Sequence, residues 1–287
     1  MKKLNILFVI LISTLFSCAQ EKMANQPKIK SEEVIFYKVD EGGTRTIREG
    51  AGMDELVEYN SDGNIEKVYV IEFDQAKNKN TYNLHERYFY EGKNLTKKEK
   101  IGYRTGEVYE EISCKYQQNK LLRKDVKTIE NGKEVLKKNG SFYSEYTYEP
   151  NKETGKVYEY DEEKKTFVLA YIQHKFFDAK KNLIQEKLED KHGEIYQQND
   201  LTYNSENKLI KDTQSKRFPS TVTYQYNKEG DIVENKYESE GTIITTKYAF
   251  KYDINDNWIE KTETKTSNIK NYIPDPTYII KRKIVYY

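Results

Sequence analysis

A chain of 287 residues with 48 Lys plus Arg against 47 Asp plus Glu carries a formal net charge of +1. It therefore lacks the one-sided positive field that draws a protein to nucleic acid. Charged residues make up 33%, Tyr reaches 26 positions and Ala only seven, a balance that disfavours both a helical bundle and a disordered chain, because rings suit a pleated surface and Ala is the best helix former.

The N-terminus reads as an address. Met1-Lys2-Lys3 is a basic start, and Leu4 to Leu15 is an almost unbroken apolar run. That run is too short to span a bilayer, which needs about 20 residues, and fits the apolar core of a secretory signal in 1–17. Leu15-Phe16-Ser17-Cys18 follows and resembles a bacterial lipobox. The resemblance implies cleavage before Cys18 and a diacylglycerol on its thiol, hence a lipid-anchored place in the cell envelope, with the outer membrane as the expected site. Acyl chains bury about 0.8 kcal/mol per CH2. Residues 18–33 are polar, contain Pro27 and read as a flexible tether. With Cys18 acylated, Cys114 has no partner for a disulfide and reads as a small buried hydrophobe.

The remainder, 34–287, shows no Pro-, Gly- or Ser-rich linker and reads as one domain built from a recurring pattern. Val34 to Gly50 looks like an N-terminal hairpin. After it, an aromatic-x-aromatic step, a polar residue, a turn cluster and an apolar pair recur. The clearest copies are Val57-Glu-Tyr-Asn-Ser-Asp-Gly-Asn-Ile, Lys175-Phe-Phe-Asp-Ala-Lys-Lys-Asn-Leu-Ile, Leu201-Thr-Tyr-Asn-Ser-Glu-Asn-Lys-Leu-Ile, Tyr224-Gln-Tyr-Asn-Lys-Glu-Gly-Asp-Ile-Val and Phe250-Lys-Tyr-Asp-Ile-Asn-Asp-Asn-Trp-Ile. Weaker copies start at Tyr88, Cys114 and Tyr158. The second aromatics, Tyr59, Tyr90, Tyr116, Tyr148, Phe177, Tyr203, Tyr226 and Tyr252, are structural anchors spaced by 23 to 32 residues, with Tyr160 competing near Tyr148. Alternation puts both rings of a Tyr-x-Tyr on one sheet face, and Asn, Asp and Gly supply the turn, so each copy predicts a β-hairpin. The expected fold is all-β: antiparallel hairpins forming one continuous twisted or coiled sheet, with little helix outside the signal. Tyr278 to Tyr287 reads as the last strand, and Tyr272 to Tyr278, with Pro274 and Pro276, as an irregular loop.

The Tyr224–Asp231 and Phe250–Asn257 runs resemble the YD repeat of RHS-type proteins and the Tyr-rich repeat lipoproteins of Bacteroidota. That likeness implies a sheet of successive hairpins, sometimes coiled around a cavity. The copies are degenerate, several lack Gly, and there is no C-terminal toxin region, so a toxin-encapsulating role does not carry over.

Catalytic and metal signatures are absent from the sequence, and no cofactor is expected. His85, His174 and His192 stand in no metal-binding spacing. No Gly-x-Ser-x-Gly or phosphate loop occurs. The acidic clusters Asp161-Glu162-Glu163, Glu189-Asp190 and Asp253-Ile-Asn-Asp256 read as turn residues, although paired carboxylates could serve a glycosidase. Tyr rings could stack on sugars, yet their repeat positions favour cross-strand ladders. The reading is a non-enzymatic, lipid-anchored envelope protein with a β-hairpin repeat scaffold for a structural or binding role. Its partners would be the membrane, through Cys18, and a protein or carbohydrate ligand, with no nucleic acid. The alternative is a hydrolase of envelope polysaccharide.

Overall fold

The computed structural model describes residues 27–39, 46–48, 54–74, 76–270 and 277–287, and every regular element among them is a strand. In chain order these are β1 (Ile29–Val39), β2 (Thr46–Arg48), β3 (Glu55–Tyr59), β4 (Ile65–Asp74), β5 (Lys79–Glu91), β6 (Asn94–Ile101) and β7 (Val108–Gln117). Then come β8 (Lys120–Glu130), β9 (Lys133–Val135), β10 (Phe142–Glu149), β11 (Lys152–Asp161), β12 (Thr166–Phe177), β13 (Leu183–Asp190) and β14 (Ile195–Tyr203). The last six are β15 (Leu209–Lys216), β16 (Ser220–Tyr226), β17 (Ile232–Ser239), β18 (Thr242–Tyr252), β19 (Trp258–Ser267) and β20 (Tyr278–Tyr286). β1 begins at Ile29, inside the stretch read as a tether. Pro274 and Pro276 lie outside the described residues.

The clearest repeats fold for a local reason. The residue after the anchor, Asn60, Asp178, Asn204, Asn227 or Asp253, turns its side-chain oxygen back to accept the backbone N–H of Asn64, Asn182, Lys208, Asp231 or Asn257 at 2.8–3.0 Å. Three residues beyond each of these, Gly63, Lys181, Asn207, Gly230 and Asp256 take positive φ. Gly is the residue that meets this requirement without steric cost. The anchor then pairs with the first apolar residue of the return strand, as Tyr59 with Ile65, Tyr203 with Leu209 and Tyr252 with Trp258. At all three places the register shifts, a β-bulge that adds one residue to the returning strand and increases its twist.

The ends of the chain correct the expected fold. β20 runs antiparallel to β1 from Tyr286 opposite Ile29 to Tyr278 opposite Lys38, and the other edge of β1 takes β2 and β3. The sheet is therefore a closed barrel and not a continuous twisted or coiled sheet. β2 and β3 share one edge of β1, and β9 and β10 share one edge of β8, so the twenty strands occupy eighteen places around it. Closure removes both free edges and overturns the resemblance to the YD repeat of RHS-type proteins and to the Tyr-rich repeat lipoproteins, whose successive hairpins it implied as a sheet and not as a ring.

Following the register around the ring separates two faces. One carries Glu32, Tyr59, Val68, Tyr88, Val126, Ser144, Val157, Asn199, Leu201, Tyr224, Thr246, Tyr252 and Ile280. It is the less exposed face, and closure crowds side chains on the concave side, so it is the inner wall. The outer face carries ion-pair ladders: Lys97 bonds Glu99 and Glu111 at 2.8 Å, Arg87 bonds Glu99 at 2.6 Å, and Lys251 bonds Glu260 at 2.6 Å. Only eight described hydrophobic residues are buried, so the wall is a single layer without the packed core of a sandwich.

Candidate functional site

The candidate site is the inner wall together with the rim that its turns form. The eight expected anchors all lie near turn-proximal ends of their strands, on that rim. Several hydroxyls reach the preceding hairpin. Tyr148 donates to the Leu121 carbonyl at 2.9 Å, Tyr203 to Leu183 at 2.9 Å and Tyr226 to Leu209 at 2.7 Å. The Tyr252 hydroxyl accepts from Asn227 and donates to Asp231, both at 2.7 Å. Tyr286, which is not one of the eight anchors, donates to Asp253 at 2.5 Å and accepts from Asn257 at 2.9 Å. At the closing seam Tyr59 donates to Glu32, Arg282 donates to the same carboxylate, and Tyr287 donates to the Tyr59 carbonyl at 2.6 Å. Phe177 has no hydroxyl, and the turns beside it are joined instead by a reciprocal amide pair, Asn182 with Asn207, at 2.6 and 2.9 Å. Tyr160, the competing anchor, sits at the other rim and packs edge-on against Phe167 at 5.6 Å.

Tyr90 and Tyr116, like Tyr148, stand beside two-residue turns, with Glu91 paired to Asn94 and Gln117 to Lys120. There the rim opens into a cavity of about 540 Å³ lined by Glu91, Asn94, Cys114 and Tyr116. A second cavity of about 520 Å³ lies between Tyr148 and Phe177, with Lys120 and Glu153 at its edge. Burial pushes the Cys114 thiol above its ordinary range, so the thiolate is disfavoured. Cys18 lies outside the described residues.

The groups named for catalysis are not brought together. His85 bonds the Ile101 carbonyl at 2.9 Å, His174 bonds Glu189 at 3.2 Å on the outer face, and His192 lies in a turn. Asp161, Asp190 and Asp253 accept backbone N–H groups of their own turns, and the first two lie at the rim opposite Asp253. Each of these carboxylates is taken up by its own turn, and a closed barrel wall replaces the open sheet surface on which a hydrolase would set them, which overturns the hydrolase reading. The hairpin-repeat scaffold reading falls with closure of the sheet. No group of three His, Cys, Asp or Glu residues that could hold a metal occurs among the described residues.

Nothing in the local residue pattern marks the charge arrangement on the inner wall. Lys98 bonds Glu86 at 2.7 Å, Lys100 bonds Glu110 at 2.8 Å, Lys175 bonds Glu153 at 3.3 Å and Lys265 bonds Glu263 at 3.3 Å. Two inner lysines differ. Lys124 lies over the Phe142 ring at 5.9 Å, and Lys261 lies 5.4 Å from Tyr248 and 5.6 Å from Trp258. Burial lowers both ammonium pKa values from the ordinary lysine range. Beside Lys261 the Phe250 ring stands 6.0–6.5 Å from the rings of Tyr248, Tyr252 and Trp258. At the far rim, fully buried Asp54 accepts from the Phe36 N–H at 2.8 Å and from Arg48 at 2.7 Å, so β1, β2 and the start of β3 are held together.

No family model and no curated protein matches the chain. Among solved structures it is similar to a porin-like protein from Bacteroides uniformis, with 11% identity over 91% of this chain and 98% of that one and a TM-score of 0.43. A porin-like protein from Bacteroides vulgatus gives 9% identity over 91% and 99%, with a TM-score of 0.36. The TcdB2-TccC3 structure gives 10% identity over 74% of this chain and 14% of that one, with a TM-score of 0.32. At scores this low none of these likenesses bears on what the chain does.

Proposed function

We propose that the protein is a non-catalytic barrel of the cell envelope whose water-filled lumen admits small hydrophilic solutes. The observation that carries this reading is the pairing of β1 with β20, which turns a sheet of hairpins into a closed wall. Eight strands leave room only for side chains or one small ligand, whereas sixteen to eighteen leave an aqueous channel. Eighteen places at about 4.8 Å each, tilted by about 40°, make a barrel roughly 35 Å across between backbones. The inner wall carries matched charges and phenols, as a surface in contact with water does.

The outer ion-pair ladders bear on how such a barrel meets a membrane. A lipid-facing barrel wall carries an apolar band, and Lys or Arg at mid-bilayer costs about 2–4 kcal/mol each. The link to the membrane is therefore assigned to the lipid on Cys18. The Tyr287 N–H donates to the Lys28 carbonyl at 3.0 Å and the Lys28 ammonium to the Ser61 carbonyl at 2.7 Å, so the N-terminal segment leaves from the Tyr rim. That segment, 18–27, reaches at most about 35 Å when extended, which turns the Tyr rim toward the bilayer.

Trp258 is the single tryptophan and stands on the inner wall, so its fluorescence reports on the lumen. Acrylamide should quench it, and a protein-sized quencher such as spin-labelled albumin should not. Protection from both would mean a filled interior, and equal quenching by both would put the ring on the outside. Either result overturns the reading.

A further inference from the structure

Five of the inner-wall cations between the rims hold a carboxylate, Lys98, Lys100, Lys175, Lys265 and Arg282, and two do not. No described carboxylate lies within ion-pairing distance of Lys124 or Lys261, although both are largely buried against the wall. An ammonium drawn out of water and left without a counter-ion is costly unless something supplies the charge. A ring face provides part of it, about 0.5–2 kcal/mol, and both lysines use one. The surroundings of Lys261 are the more complete. Trp258 has Lys261 on it at 5.6 Å and the Arg282 guanidinium at 4.9 Å, so one indole carries two cations. Arg282 spends its Nε and Nη2 edge on Glu32. Glu263 and Asp231 are near enough to raise the Lys261 pKa, yet burial outweighs them.

We propose that the Lys261–Trp258–Arg282 corner of the inner wall is a binding site for a small anionic solute, a carboxylate or phosphate, that enters the lumen. This rests on the lumen being water-filled. The anion supplies the charge that Lys261 lacks, and the indole, with Phe250 and Tyr248 beside it, supports the solute's apolar part. Lys124 on the far wall repeats part of this arrangement, with one ring, Phe142, and no second cation on it; burial lowers its pKa against the pull of Cys114 and Glu110, and Lys175 and Lys100 add to the lowering. β8 and β19 stand almost opposite one another in the ring, so the two lysines serve separate anions.

The test uses the full-length processed protein in detergent, with citrate as the anion, glycerol as a neutral control and Trp258 emission as the readout. Citrate should change the emission saturably and glycerol should not, and iodide should quench Trp258 better than caesium does. Lys261→Gln should weaken the citrate response tenfold or more, and Lys261→Arg, which keeps the charge, should restore most of it. A citrate response that Lys261→Gln leaves unchanged, or one that glycerol reproduces, overturns the site. Failure of acrylamide to reach Trp258 would instead overturn the open lumen. Acrylamide quenching with no preference for iodide and no citrate response would overturn the anion site alone.

Discussion

Glu33 and Lys283 face one another across the seam between the first and last strands, on the outer face. Changing both to cysteine, with Cys114→Ser, tests closure directly. Partners in an antiparallel ladder have Cα atoms about 4.5–5.5 Å apart, inside the 4.4–6.8 Å that a disulfide accepts. The bond would close a loop of about 250 residues, and the chain-entropy model then gives about 5 kcal/mol of stabilisation against the reduced form. Native-state strain lowers such figures, so about 2–5 kcal/mol is the expectation. Oxidised and reduced protein would be compared by urea titration at equal m-value, and by gel mobility under denaturing conditions, where a circularised chain runs anomalously. Failure of the pair to form while a control pair within one hairpin, Glu234→Cys with Lys247→Cys, forms readily would refute the ring.

At the same seam, Arg282→Met leaves the Glu32 carboxylate, only 14% exposed, with the Tyr59 hydroxyl alone. A loss of about 3–5 kcal/mol is expected by chemical denaturation, and Glu32→Gln combined with Arg282→Met should recover much of it. Tyr252→Phe removes a hydroxyl that satisfies both Asn227 and Asp231. It should cost about 1–3 kcal/mol, with hydrogen exchange rising first at the turn after Tyr226. Asp212 is half-buried and accepts from Asn199, and burial raises its carboxyl pKa. A carboxyl raised in the folded state favours folding when protonated, so its burial cost is felt above the ordinary carboxylate range and fades as pH falls through it. Asp212→Asn should therefore stabilise the protein at neutral pH and lose that advantage in acid, which thermal melts across pH will show. Cys18→Ala should release the protein from the membrane fraction, and unchanged fractionation would refute the lipid anchor.

The hairpins were legible because their cause is local. An Asx residue after the anchor and a residue at positive φ three places later make the turn whatever the rest of the chain does, as at Asn227 and Gly230. The bulge opposite the anchor was not legible. In Leu209-Ile210 or Trp258-Ile259 the apolar pair looks like ordinary strand, although one member pairs inward and the extra residue turns out, leaving Ile259 37% exposed. Closure was not legible either, since β1 and β20 meet across the whole chain and neither carries a local mark of its partner. The charge pattern of the inner wall was hidden for a third reason. Lysines stand on both faces of the wall, so alternation alone cannot say which lysine lies inside. Only the register separates Lys98, which pairs with Glu86 within, from Lys97, which pairs with Glu99 and Glu111 without.

Closure also accounts for why the copies can drift so far apart. In an open array each hairpin end must protect itself from adding a foreign strand, whereas a ring presents backbone donors and acceptors only at its rims. What a repeat must preserve is then narrow: strand length, one inward ring near the turn, and a turn that reverses the chain. Phe177 keeps the ring without the hydroxyl, and the Asn182–Asn207 amide pair joins the neighbouring turns in its place. Glu91–Asn94 reverses the chain without an Asx cap. The residues freed from repeat duty on the inner wall vary in charge from strand to strand, and among the described inner lysines between the rims it is Lys261 and Lys124 that lie against rings and not against a carboxylate.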